Sequence, residues 1–189
     1  MQTEVLEGGF ADAPVEAAHA FRALLSALSR PGQVVELAGA APPAPVSPAA
    51  GTLLLTLADA ETPVHLAGAH DTEEVRAWLA FHTGAPVAGR ESAVFAIGTW
   101  EALLPLRDYR VGTPDYPDRS ATLIVERMEA GGAGAVLTGP GIDGHAQMDL
   151  PALEPFRENA ARFPLGLDFF FASGARVAAL PRSTHVEAR

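Results

Sequence analysis

The chain has 189 residues, 48% of them hydrophobic, enough to fill the core of one domain over 1–189. Its 13 basic and 23 acidic residues leave a formal charge of -10, which disfavours binding to a nucleic-acid backbone or an anionic membrane surface. It contains no cysteine and no lysine, which excludes disulfides, thiolate metal sites, thiol nucleophiles and imine chemistry on a side-chain amine.

No window approaches the roughly 18 uninterrupted apolar residues of a membrane span. The start, Met1 to Phe10, carries Glu4 and Glu7 instead of a basic region ahead of an apolar run. A cytosolic protein is expected. The use of arginine in place of lysine throughout an Ala-, Pro- and Gly-heavy chain is the signature of a high-GC genome.

The first element predicted is a helix from Ala13 to Ser29, with Ala18, Phe21, Leu25 and Leu28 forming one apolar stripe at helical spacing. Asp12 is placed to cap it and Pro14 suits its first turn. Arg30-Pro31-Gly32 stops it, and a short strand follows from Gln33 to Leu37. Residues 39–48 hold four prolines among small residues and read as an extended, mobile surface connection.

Gly51 to Leu57 suits a buried helix, and Pro63 to Ala67 a strand. Asp71 and Glu74 stand at capping-box spacing before Val75, Trp78, Leu79 and His82, marking a helix that Gly84 ends. A strand from Ala93 to Ile97 and a threonine-capped helix from Thr99 to Leu106 come next. Residues 107–119 form a polar loop.

Strands over Ala121 to Met128 and Ala135 to Thr138 are predicted to form a hairpin through Gly131, Gly132 and Gly134. A helix from Leu153 to Phe163 precedes two last strands, Leu167 to Ala172 and Arg176 to Leu180, around Ser173-Gly174. This order predicts an α/β fold, a mixed β-sheet flanked by helices.

Gly139-Pro140-Gly141-Ile142-Asp143-Gly144 has the spacing of a dinucleotide-binding loop and follows a predicted strand. The residues after it, His145 to Pro151, show no apolar helical stripe, so a tight turn is the better reading. A nicotinamide-dependent oxidoreductase built on this loop is the weaker alternative. His82 is expected to serve the end of its helix, while His65 and His70 lack the spacing of a metal pair, so no metal site is expected.

The stretch Pro181-Arg182-Ser183-Thr184-His185 places an arginine, two hydroxyls and a histidine directly after a core strand. Arg182, Ser183, Thr184 and His185, with Arg30 from the first loop, form a candidate grip on a phosphate or phosphonate oxyanion. That candidate supports one functional alternative, a free-standing enzyme or sensor for a phosphorylated small molecule. No Gly-x-Ser-x-Gly elbow occurs, and Glu73 and Glu74 read as solvated helix-start acids, so no catalytic constellation is assigned.

Several segments, in this order, resemble the PhnH family, the H subunits of the bacterial carbon–phosphorus lyase system. They are His19-Ala20-Phe21-Arg22 with Leu24-Leu25 and Arg30-Pro31-Gly32, then Leu54-Leu55-Thr56-Leu57-Ala58-Asp59 with Thr62-Pro63-Val64, then Phe81-His82-Thr83. Leu137-Thr138-Gly139-Pro140-Gly141-Ile142, Phe163-Pro164-Leu165-Gly166-Leu167-Asp168 and Leu180-Pro181-Arg182-Ser183-Thr184-His185-Val186-Glu187 complete the set.

The resemblance implies a subunit of phosphonate catabolism working with G, I and J companions and an ATP-binding-cassette-like partner. That core forms alpha-D-ribose 1-methylphosphonate 5-triphosphate from ATP and methylphosphonate, and a separate radical subunit with an iron–sulfur cluster later cleaves the carbon–phosphorus bond. A homodimer of the isolated chain is implied too, as is a fold similar to pyridoxal-phosphate (PLP)-dependent transferases without that cofactor. A chain lacking lysine and cysteine fits neither a PLP aldimine nor cluster ligation, so no cofactor is expected in it. Departures from the family pattern concentrate in 39–48 and 107–119.

Overall fold

A computed structural model describes residues 7–126 and 132–189. Helix α1 spans Ala13–Ser29, as the spacing predicts. Asp12 takes the capping position, but its carboxylate makes no capping bond; instead its backbone N–H donates to the Glu16 carboxylate at 2.9 Å. Strand β1 (Val35–Glu36) and helix α2 (Pro48–Leu57) follow. Helix α2 starts earlier than expected because the Ser47 hydroxyl caps it by accepting from the Ala50 N–H, with Pro48 in the first turn.

The proline-rich connection is tied down, contrary to the expected mobility. The Ala40 N–H donates to the buried Thr52 hydroxyl at 3.0 Å, Val46 is buried, and Pro42 covers Gly51 so closely that a β-carbon there would overlap its ring. Strand β2 (Val64–Leu66) leads to helix α3 (Glu73–Thr83). The cap of α3 is Thr72 and not Asp71, since Thr72 accepts from the Val75 N–H while Asp71 is drawn into an ion pair with Arg76. Gly84 ends the helix in the left-handed region, at φ 70°.

Strand β3 (Phe95–Gly98), the short helix α4 (Trp100–Leu103) capped by Thr99, and strand β4 (Thr122–Glu126) come next. Strands β5 (Ala133–Thr138) and β6 (Ala146–Leu150), helix α5 (Glu154–Ala160), and strands β7 (Asp168–Ser173), β8 (Arg176–Leu180) and β9 (His185–Ala188) complete the described chain.

Six strands form the large sheet in the order β1-β8-β7-β4-β3-β2, with β2, β3, β4 and β7 parallel and the β7–β8–β1 edge antiparallel. The expected mixed sheet is therefore present. A second, antiparallel sheet has the order β6-β5-β9.

The expected hairpin between the strands on either side of Gly131, Gly132 and Gly134 does not form. Residues 122–126 lie inside the large sheet and are buried on both faces except at Thr122, whereas β5 sits in the small sheet between β6 and β9. The chain changes sheets across a segment in which Met128 and Gly131 lie outside the described residues. Strand β5 makes its hairpin with β6 instead, through Gly139 to Gly144. Neither β6 nor β9 was legible, because their residues are largely exposed and polar, with one wholly buried side chain at Leu150 and one nearly so at Val186.

Two apolar layers result. On one face Ile97, Ile124, Phe170 and Ala179 pack with Leu24 and Ala27 of α1, Leu53 and Leu54 of α2, and Trp78 and Leu79 of α3. On the other face Leu123, Val125, Phe169 and Phe171 pack with Trp100 and Leu103 of α4, Phe156 of α5, and Leu137, Leu150 and Val186 of the small sheet. Phe156 is the centre of the second layer, stacked on Trp100 at 5.0 Å and edge-on to Phe169 at 4.9 Å.

Phe156→Ala should therefore cost about 3–5 kcal/mol, measured by urea unfolding. A second test concerns Glu126, buried at the end of β4, whose carboxylate accepts from the Ser47 N–H at 2.7 Å. Burial pushes its pKa up, and that hydrogen bond only partly opposes the effect. A raised carboxyl pKa means that its favourable contribution is complete in acid and is lost as pH rises through the folded value. Glu126→Gln, which keeps an acceptor for Ser47, should raise Tm at pH 8 and lose that advantage in acid; a lowered Tm at pH 8 would contradict this.

Candidate functional site

Three of the segments singled out in the sequence meet at the β5–β6 turn. Gly139 and Gly141 both have positive φ, at 133° and 81°. A β-carbon at Gly141 would overlap the Ser29 carbonyl oxygen just before the Arg30-Pro31-Gly32 turn. One at Gly139 would lie 3.0 Å from the Ser183 carbonyl oxygen and 3.6 Å from the Thr184 Cα. Gly32 packs in turn against Ala146 of β6. The glycines thus serve close approach of three backbone segments. The loop opens into strand β6 and not into a helix, which removes the helix N-terminus that a bound pyrophosphate requires.

Around this junction Arg30 and His185 are exposed, Ser183 is half-buried, and Thr184 is buried with no partner for its hydroxyl among the described residues. His185 starts β9, paired with Thr138 of β5. The Arg30 N–H closes α1 by donating to the Ser26 carbonyl, and its guanidinium has no partner among the described residues.

Arg182 is committed elsewhere. Its Nε donates to Asp168 Oδ1 at 3.1 Å and its Nη1 to the Pro117 carbonyl at 2.6 Å, while Nη2 donates to both Asp168 Oδ2 and the Ser120 hydroxyl. Its backbone N–H also donates to Asp168 Oδ1, at 2.9 Å. The guanidinium is a clamp that joins the strand-7 start, the end of β8 and the 117–120 segment, with few donors left for a ligand. Sequence reasoning placed Arg182 with Ser183 to His185, but the partner that claims it, Asp168, lies fourteen residues away.

Beside this clamp, Gly166 lies against Arg182 Cβ and Asn159, and Asn159 is locked by two 2.8 Å hydrogen bonds with the Leu167 backbone. Asn159 and Leu167 form one wall of a cavity of about 300 Å³ that Pro105, Leu106, Pro155 and Glu158 also line. Two arginines border it, Arg107 and Arg162. Arg107 is largely exposed and 3.9 Å from Asp108, and Arg162 has no side-chain partner among the described residues. Neither was singled out in the sequence, because the 107–119 loop and the end of α5 carry no motif that brings them together. Arginines beside an apolar floor suit a small anion with a nonpolar body.

The histidines have structural surroundings. His82 does not serve its own helix end. Its ring bonds the Glu7 carbonyl at 3.3 Å and packs beside Trp78 and Phe81, with Gly9 seated on it. His65 Nδ1 is 3.1 Å from the Ala88 carbonyl. His70 is buried with neither ring nitrogen partnered among the described residues, and desolvation lowers its pKa. Among the described residues no set of three His, Cys, Asp or Glu side chains is grouped to hold a metal ion.

A family model described as "Bacterial phosphonate metabolism protein (PhnH)" matches residues 8–187. The chain belongs to the PhnH family. It is 40% identical, over 98% of both chains, to "Alpha-D-ribose 1-methylphosphonate 5-triphosphate synthase subunit PhnH" of Rhizobium meliloti (strain 1021). It is 32% identical, over 95% of both chains, to "Putative C-P lyase subunit protein HtxG" of Stutzerimonas stutzeri. The PhnH match takes in the glycine junction, the Arg182 clamp and the cavity, and it also spans the 39–48 and 107–119 segments where departures were expected.

Two stability tests address this geometry. Replacing Arg182 by Met leaves the Asp168 carboxylate without its partner and should cost about 3–5 kcal/mol in urea unfolding. At the junction, Gly141→Ala and Gly144→Ala share a positive φ, but only Gly141 meets a neighbouring backbone. Gly144→Ala should cost about 1 kcal/mol, and Gly141→Ala clearly more, by differential scanning calorimetry.

Proposed function

We infer that this chain is the H-type subunit of a cytoplasmic carbon–phosphorus lyase core complex, needed for phosphonate catabolism. In that role it supports formation of alpha-D-ribose 1-methylphosphonate 5-triphosphate from ATP and methylphosphonate. The observation that carries this reading is the end-to-end match to a curated relative named as a subunit of the synthase. Its partners in this reading are G, I and J subunits, and the isolated chain is a homodimer. No helix among the described residues is long and apolar enough to cross a membrane.

The fold reading is a scaffold similar to PLP-dependent transferases, supported by the parallel β2-β3-β4-β7 core with β8 antiparallel beside it. PLP does not fit, because the chain has no lysine for an aldimine. Iron–sulfur ligation is likewise unsupported without cysteine. The chain then acts by assembly, with the exposed Arg30 and His185 and the half-buried Ser183 beside the glycine junction, above the buried Thr184, as the surface where an oxyanion or a partner meets it. Capture of the tagged chain from phosphate-starved cells should recover the G, I and J subunits, identified by mass spectrometry; recovery of the chain alone would contradict the reading.

A second reading, a chain that itself binds a phosphorylated ligand, shifts to the cavity bordered by Arg107 and Arg162, since Arg162 is uncommitted where Arg182 is not. If it holds, ATP or ribose 5-phosphate should bind in calorimetry. Arg162→Ala should then weaken binding roughly tenfold or more, the worth of one charged hydrogen bond.

A further inference from the structure

The cavity between helix α5 and residues 104–107 has walls that are fixed from behind. Arg90 Nη2 donates to the Ala102 carbonyl at 2.9 Å and Nη1 stands 3.7 Å from the Asp108 carboxylate, so one side chain holds the backbone on both sides of the cavity-lining stretch. Inside that stretch the Asp108 and Tyr109 N–H groups donate to the Pro105 and Leu106 carbonyls at 3.3 and 3.2 Å. On the opposite wall the Asn159 side chain both donates to and accepts from the Leu167 backbone. What the cavity offers a ligand is a nonpolar floor, Pro105, Leu106 and Leu167, and two guanidiniums at its border, Arg107 and Arg162. A pocket fixed before binding costs little to order when a ligand enters it.

Charge here runs against that of the whole chain. The formal total is -10, yet Arg90, Arg107 and Arg162 stand against Asp108 and Glu158, an excess of one positive charge at the cavity and its walls. Among the described residues that line it, no side chain carries a hydroxyl. We propose that this cavity binds a small monocarboxylic acid with a nonpolar body, its carboxylate held by Arg107 and Arg162 and its hydrocarbon part lying on the floor of Pro105, Leu106 and Leu167. The proposal takes up the reading that puts a ligand in this cavity and commits that ligand to a different chemical class.

A carboxylate carries a single negative charge and two oxygens in one plane, which a guanidinium meets with two parallel hydrogen bonds. That matches the single excess charge. A phosphate monoester brings about 1.5 to 2 negative charges, and a ribose brings hydroxyls that a nonpolar floor leaves unpaired, which a site of this kind rejects. Position bears on the role of the acid. Leu167 immediately precedes β7, at the amino end of the parallel strands, whereas the active sites of parallel sheets open at the carboxyl ends. The acid is therefore bound here as an effector and not turned over.

The test is calorimetric titration of the purified full chain with benzoate, with straight-chain carboxylates from acetate to hexanoate, and with inorganic phosphate and ribose 5-phosphate. Benzoate should bind saturably, affinity in the straight-chain series should rise roughly fourfold per added methylene, and the phosphates should bind roughly tenfold or more weakly than benzoate. Arg162→Ala and Arg107→Ala, both at exposed positions, should each weaken benzoate roughly tenfold with Tm unchanged. Glu158→Gln, which removes the opposing charge, should tighten it roughly threefold, a gain that damage to the fold does not produce. Benzoate binding that these three substitutions leave unchanged would overturn the site. Saturable binding of ribose 5-phosphate, weakened by Arg162→Ala and without binding of any carboxylate, would overturn the carboxylate and spare the phosphorylated-ligand reading. No binding of any of these anions would overturn both. Equal affinity for benzoate and phosphate would reduce the cavity to a general anion site and overturn the proposal.

Discussion

Burial of β4 and β7 on both faces is the constraint on which the rest of the structure depends. Leu123, Ile124 and Val125, and Phe169, Phe170 and Phe171, alternate between the two sides of the sheet and are all almost fully buried. A strand that is apolar on both faces needs cover on both. Helices α1, α2 and α3 supply one layer, and α4, α5 and the small sheet supply the other. The small sheet is thus a second cover for the strands, and the tight glycine junction at its β5–β6 turn holds it against the end of α1.

Polar anchoring follows from the same demand. The cover on the second face is fastened where β7 begins, by Asp168 holding the Arg182 side chain and backbone, while Arg182 reaches the 117–120 segment. On the first face, Glu126 at the end of β4 holds the Ser47 N–H at the entry to α2. Both groups sit at ends of central parallel strands, and both spend their charge inside the protein. Arg30, Arg162 and His185, by contrast, are exposed.

The large elements were legible because their residues carry period and punctuation together. The α1 limits follow from Pro14 and Arg30-Pro31-Gly32, and the α3 end from Gly84. Orientation was less legible. The α1 stripe of Ala18, Phe21, Leu25 and Leu28 has core-facing spacing, yet the sheet takes the face bearing small Ala20 and Ala27, which lets the helix lie close to α2 and β8. Strands β6 and β9 escaped because a cover strand with one solvent face and polar residues looks like loop. At the candidate site, chain proximity suggested Arg182 with His185, whereas the partner of Arg182 is set by the sheet register that brings Asp168 beside it. The approach of Gly141 to Ser29 and of Gly139 to Ser183 is a tertiary fact that spacing along the chain does not encode.

Placing the chain in phosphonate catabolism rests on family membership, and a chain without lysine or cysteine can supply neither a PLP aldimine nor cysteine ligands to a cluster. The most direct measurement is growth of the bacterium that carries it, with its gene deleted, on methylphosphonate as sole phosphorus source. The account predicts no growth on methylphosphonate, normal growth on phosphate, and recovery on methylphosphonate when the chain is supplied again. Undiminished growth of the deletion strain on methylphosphonate would contradict it.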